Sequence, residues 1–198
     1  MPKKFEKEFI SYCENQNLEV NPYQIKVIKK LEDYHNSNYK SFFSKLFSKQ
    51  KTKKGFYLYG GVGVGKTMIL NFFYNHLEEK KLKKHFNEFM LGFHDFVHEQ
   101  KEKNEENVIN QFVKKLKSKA SLIYFDEFQV TNIVDAMILG KLFEQIFKED
   151  IKIILTSNTK ISELYKEGLQ REQFIPFINI MEDQSIEYEL KIEDDYRK

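Results

Sequence analysis

The sequence predicts an α/β fold, a mainly parallel sheet flanked by helices on both faces. Three observations carry this. Short apolar runs of strand length recur at "GFYLY", "SLIYFD" and "IKIILTS". Amphipathic helical patterns separate those runs. A glycine-rich turn, "GGVGVGKT", joins the first run to the helix after it. Strand–helix alternation of this kind builds parallel sheets with helical layers.

The elements follow in order. Residues 1–38 read as two polar helices. Asn21 caps the second, Pro22 suits its first position, and Ile25, Ile28 and Leu31 share one face. Residues 40–54, "KSFFSKLFSKQKTKK", hold six Lys and no acid, with Phe42, Phe43, Leu46 and Phe47 at helical spacing. A basic amphipathic helix on a membrane surface or a partner is one reading. A short helix packed on the domain, followed by a solvated linker, is the other. The apolar stripe of about one and a half turns favours the second. Residues 1–54 thus form an N-terminal helical segment and basic linker, and 55–198 the α/β core.

Within that core, "GFYLY" (55–59) is a strand and a helix runs from 66 to 80. "HFNEF" (85–89) is a short strand candidate. Helical patterns cover 90–103 and 107–118, and "SLIYFD" is a buried strand. A helix over 132–148 places Leu139, Leu142, Phe143, Ile146 and Phe147 on one face. "IKIILTS" (151–157) is the next strand, and "SELYKEG" a short helix. A helix over 172–182 and an alternating strand, "SIEYELKIE" (185–193), complete the pattern.

The 198 residues suit one sizeable domain, 41% apolar and 31% charged. A formal net charge of +2 gives no argument for nucleic acid. Cys13 has no partner cysteine for a disulfide, and "MPKKFEKEF" resembles neither a secretory leader nor an Arg-rich transit peptide. No apolar run approaches the roughly 20 residues that span a bilayer. These features predict a cytoplasmic location.

"GGVGVGKT" satisfies G-x-x-x-x-G-K-[ST]. The stretch Gly60, Gly61, Val62, Gly63, Val64, Gly65, Lys66, Thr67, Met68 then cradles phosphates. Its glycines let backbone N–H groups curl around phosphate oxygens. The helix N-terminus adds partial positive charge. Lys66 reaches the β- and γ-phosphates of ATP, and the Thr67 hydroxyl is a ligand for Mg²⁺.

In "LIYFDEF" a strand apolar enough to be central ends in Asp126 and Glu127. Asp126 can hold the Mg²⁺ hydration shell, and Glu127 can polarise an attacking water, a hydrolase feature. Asn158 ends another apolar strand, where a neutral amide can touch the γ-phosphate and that water. The guanine-selecting N-K-x-D pattern is absent, since the chain reads "NTKI". "HDFVH" places His94 and His98 one turn apart with Asp95 beside the first, like a zincin helix. No obvious third ligand accompanies them, so they read as an ordinary helix face.

Several segments together resemble the ZapE family of bacterial cell-division ATPases and its mitochondrial relatives, within the AAA+ class. They are "GFYLYGGVGVGKTMILNFFY", "HFNEFM", "YFDEFQVTNIVDAMILGKLF", "TSN", "LYKEGLQREQFIPFI" and "DYR". The resemblance implies a P-loop core of strand order 5-1-4-3-2 and ATP hydrolysis across subunit interfaces of a ring, such as a hexamer. It implies a role at the division septum or in mitochondrial quality control. Lys66 and Thr67 become the Walker A residues, Asp126 and Glu127 the Walker B pair, and Asn158 the sensor. Arg171 becomes an arginine finger acting in trans. Arg171 and Arg197 are the only Arg among 32 Lys and Arg residues. A guanidinium offers a planar fork of donors that an ammonium lacks. A structural pair between Arg171 and Glu167 is the alternative.

The chain departs from the family at Val64, at Asn87 and Glu88, and after Asn158, where prolines are usual. It ends at Lys198, where family members continue into a helical lid. Two other readings stay open: a nucleic-acid-binding AAA+ protein of helicase-loader type, and a shortened ATP-binding module without turnover.

Overall fold

The computed structural model describes residues 4–39, 52–100 and 104–191. Helices α1 (Lys4–Asn15) and α2 (Pro22–Tyr39) come first. The Asn21 side chain accepts the Tyr23 N–H at 2.8 Å, so the expected cap is present. There follow β1 (Gly55–Tyr59), α3 (Lys66–Asn75), β2 (Lys81–His85), α4 (Phe86–Glu99) and α5 (Glu105–Lys119). Then come β3 (Leu122–Asp126), α6 (Ile133–Lys148), β4 (Lys152–Ser157), a 3₁₀ turn (Ile161–Glu163), α7 (Arg171–Gln184) and β5 (Ser185–Glu189).

The strands form one parallel sheet ordered β2-β3-β4-β1-β5. This is the 5-1-4-3-2 order that the resemblance implies. β3 and β4 are buried along their whole length, as expected of central strands in a doubly covered sheet.

Strand alternation sorts residues between the two layers. Odd-numbered Tyr57, Ile123, Phe125, Ile153 and Leu155 join the core under α4, α5, α6 and α7. Even-numbered Phe56, Leu58, Leu122, Tyr124 and Ile154 join the core under α1, α2 and α3. The N-terminal helices therefore cover one face of the sheet. They do so through Phe5, Phe9 and Cys13, spaced one turn apart, and through Val27, Ile28, Leu31 and Tyr34. On the other face, Gly140 of α6 packs against Pro176 and Phe177 of α7, where a Cβ would make ordinary contact.

Two elements differ from expectation. "HFNEF" is not a strand: β2 ends at His85, and Phe86 opens α4. Phe86, Phe89, Met90 and Phe93 are all buried, a three-to-four spacing that only a helix can place on one face. "SELYKEG" forms no continuing helix. Its 3₁₀ turn stops at Glu163, and Tyr165 and Gln170 take left-handed φ angles of 53° and 54°. Elsewhere the boundaries shift, with α3 ending at Asn75 and β5 at Glu189. The basic segment 40–51 and "DYR" lie outside the described residues. Among the described residues no helix is long and apolar enough to cross a membrane.

Candidate functional site

β1 leads into the glycine-rich loop, and the loop ends on the N-terminus of α3. Gly63 and Gly65 have φ of 83° and 92°. At Gly65 a side chain would be strained by the backbone and would also meet the Gln24 amide, 2.7 Å from the Cβ position. That amide donates to the Val64 carbonyl at 3.1 Å, so α2 braces the loop.

Lys66 is buried, and its Nζ donates to the Gly60 and Gly61 carbonyls at 2.9 and 2.6 Å and to Asn158 Oδ1 at 2.9 Å. Burial lowers its pKa, and the Asp126 and Glu127 carboxylates oppose that shift without cancelling it. Three acceptors hold the ammonium across the mouth of the loop.

Asp126 ends β3 and, being even-numbered, faces α3. Its Oδ1 accepts from Thr67 Oγ1 at 2.9 Å and from Thr156 Oγ1 at 2.7 Å. Lys83 Nζ lies 3.6 Å from Oδ2. Burial alone raises the Asp126 pKa. Hydrogen bonds from Thr156 and Thr67, the Tyr124 hydroxyl and the Lys83 charge more than reverse this, and the carboxyl is held below its ordinary range.

Glu127 turns out of the sheet with φ 54°, and its N–H donates to Thr156 Oγ1 at 2.9 Å. Its side chain is exposed. A cavity of 270 Å³ is lined by Val62, Gly63, Gly65, Lys66, Thr67, Glu127, Thr156, Ser157 and Asn158. The structure thus brings Lys66, Thr67, Asp126, Glu127 and Asn158 into one place.

Arg171 is not there. It is the first residue of α7, outside the cavity lining, and its Nη2 donates to the Ser162 carbonyl at 2.8 Å. Among the described residues it pairs with no acid, Glu167 included. The zincin-like pair also goes elsewhere: His94 Nε2 bonds Asp135 Oδ1 at 2.7 Å, and His98 is exposed.

Thr67 and Asp126 supply adjacent hard oxygens, the donor type that Mg²⁺ takes, and they fit this ion. Mg²⁺ keeps several waters and leans on substrate phosphates, so one carboxylate and one hydroxyl suffice from the protein.

Sequence reasoning missed Thr156, which bridges Asp126 and the Glu127 backbone, and Lys83. Thr156 lies on β4, two residues before Asn158. Pairing β3 with β4 in register places it beside Asp126.

The AFG1-like ATPase family model matches residues 13–198. Lactation elevated protein 1 homolog B of Danio rerio is 40% identical over 161 residues, covering 76% of this chain and 32% of that protein. Cell division protein ZapE of Escherichia coli (strain K12) is 37% identical over 133 residues, covering 67% of this chain and 35% of that protein. The chain spans about a third of the length of these curated relatives. Among solved structures, that of DnaI superimposes with a TM-score of 0.60 at 19% identity, covering 87% of this chain and 84% of that one. This last likeness shows the fold alone. The family model covers nearly the whole sequence, and these relatives are 37–40% identical over two thirds or more of it, so the chain belongs to the AFG1-like ATPase family.

Proposed function

We propose that this chain binds ATP with Mg²⁺ and hydrolyses it, in a ring of copies that share their active sites. The observation that carries the reading is the convergence of Lys66, Thr67, Glu127 and Asn158 on one cavity at the ends of β1, β3 and β4, with Asp126 bonded to Thr67. The loop N–H groups and the α3 N-terminus bind the phosphates. Lys66 neutralises their outer oxygens. Thr67 and Asp126 hold Mg²⁺, which withdraws charge from the phosphates when bound. Glu127 is exposed to the cavity and free to orient a water and accept its proton. Asn158 already bonds Lys66, so its amide can report on what that ammonium touches.

Arg171 completes the site from a neighbouring copy. Three costs at its position support this. A cation in the first turn of a helix opposes the helix dipole. Its Nε is buried without a partner. The residue before it, Gln170, is left-handed. A side chain kept at such cost is one used elsewhere. The client is a protein of the division machinery or another protein to be remodelled, in keeping with the name of the Escherichia coli relative.

Phosphate release measured with Mg²⁺ and ATP tests the enzyme. The wild type should turn over ATP, and Lys66→Ala should lose at least about a hundredfold, the order expected when a transition-state charge partner is removed. Equal release by the two proteins would contradict the reading. ATP binding without turnover would leave a nucleotide-binding module instead.

A further inference from the structure

Lys83 stands beside the Asp126 carboxylate, and the ATPase reading gives it no work. It comes from β2, the edge strand beside β3. Register pairs it with Tyr124, so it rises on the α3 face. There its Nζ donates to Asn71 Oδ1 at 2.7 Å, lies 3.6 Å from Asp126 Oδ2 and is 4.9 Å from the Tyr124 ring centroid. Asn71 is one turn beyond Thr67 on α3, so it faces the same side. Three elements therefore hold one ammonium against one carboxylate. The two Asp126 oxygens divide the work: Oδ1 takes the Thr67 and Thr156 hydroxyls, and Oδ2 faces Lys83.

We propose that Lys83 is a tethered cation that sets how tightly Thr67 and Asp126 hold a divalent metal. It is a positioning residue, acting through Asp126. A divalent cation on that carboxylate needs its negative charge, and Lys83 already neutralises part of it. Two cations near one carboxylate also repel each other. Asn71 keeps the ammonium from swinging away, so the competition is built in. The Lys83 side chain is 35% exposed, and solvent weakens the competition without abolishing it. The same contact gives Asp126 Oδ2 a partner while Oδ1 takes the two hydroxyls, so both oxygens are engaged. Because Lys83 does not line the cavity, nucleotide contacts made by the loop itself do not depend on it.

This inference rests on the nucleotide reading, and its test separates the two. A fluorescent non-hydrolysable ATP analogue is titrated with MgCl₂ on the wild type, Lys83→Gln, Lys83→Met and Lys83→Arg. Circular dichroism checks that each is folded. Lys83→Gln and Lys83→Met should lower the Mg²⁺ midpoint about three- to tenfold, the order expected for a partly screened charge. Lys83→Arg should stay near the wild type. Affinity for the analogue in EDTA should not change, which a general structural defect would alter. A folded Lys83→Gln or Lys83→Met with an unchanged or raised midpoint overturns the inference. A wild type that binds the analogue at no Mg²⁺ concentration overturns the nucleotide reading, and this inference with it.

Discussion

Arg171 is held firmly where it stands. Its Nη2 is bonded to the Ser162 carbonyl, and the loop before it packs on itself. Tyr165 covers Gly168, where any Cβ would run into its ring, and reaches Phe174 at 5.4 Å. A guanidinium has further donors beyond the Nη2 bonded here, in a planar fork that an ammonium lacks. Arg171→Lys should therefore bind ATP as the wild type does and lose about 10³-fold or more in turnover, by analogy with fingers supplied in trans. Calorimetry and phosphate release together read this, and near-normal turnover would make Arg171 a structural residue. Most of the site was legible in single residues. Lys66, Thr67, Asp126, Glu127 and Asn158 stand out because each ends a strand or opens a helix. Thr156 did not stand out, since a Thr inside an apolar strand looks like packing until its neighbour strand is known.

Lys83 was hidden at the scale of the element. β2 reads "KLKKH", and only Leu82 is apolar. An edge strand carries Lys to discourage edge pairing, so it lacks the apolar run that marks a central strand. The apolar "HFNEF" beside it drew the strand assignment instead. β3 and β4 were legible because burial on both faces leaves continuous apolar runs. The N-terminal helices read as polar, yet they close the second core. Phe9 is fully buried and meets Phe72 of α3 edge-on at 5.0 Å. Phe9→Ala should lower the unfolding free energy by about 3–5 kcal/mol, measured by urea denaturation. A loss under about 1 kcal/mol, the size of a surface change, would show that α1 is not part of the folded unit. Through Gln24 the same layer touches the phosphate loop, so its loss should also loosen nucleotide binding.

At the scale of the whole molecule, the sheet gathers Lys66, Thr67, Asp126, Glu127 and Asn158 in one place and leaves Arg171 apart from them. The ends of β1, β3 and β4 converge on the 270 Å³ cavity, and Arg171 lies outside its lining. The strand order followed from the family resemblance rather than from periodicity, because alternation predicts a parallel sheet without fixing its order. A pairing surface for the proposed assembly was not legible, since one chain's sequence does not state which of its surfaces would pair. The most direct measurement is ATP turnover per subunit across a wide range of protein concentration. The rate per subunit should rise steeply and then level off as copies assemble, and Arg171→Lys should stay low throughout. A rate per subunit that is constant from dilute to concentrated protein would contradict sites completed by a neighbouring copy.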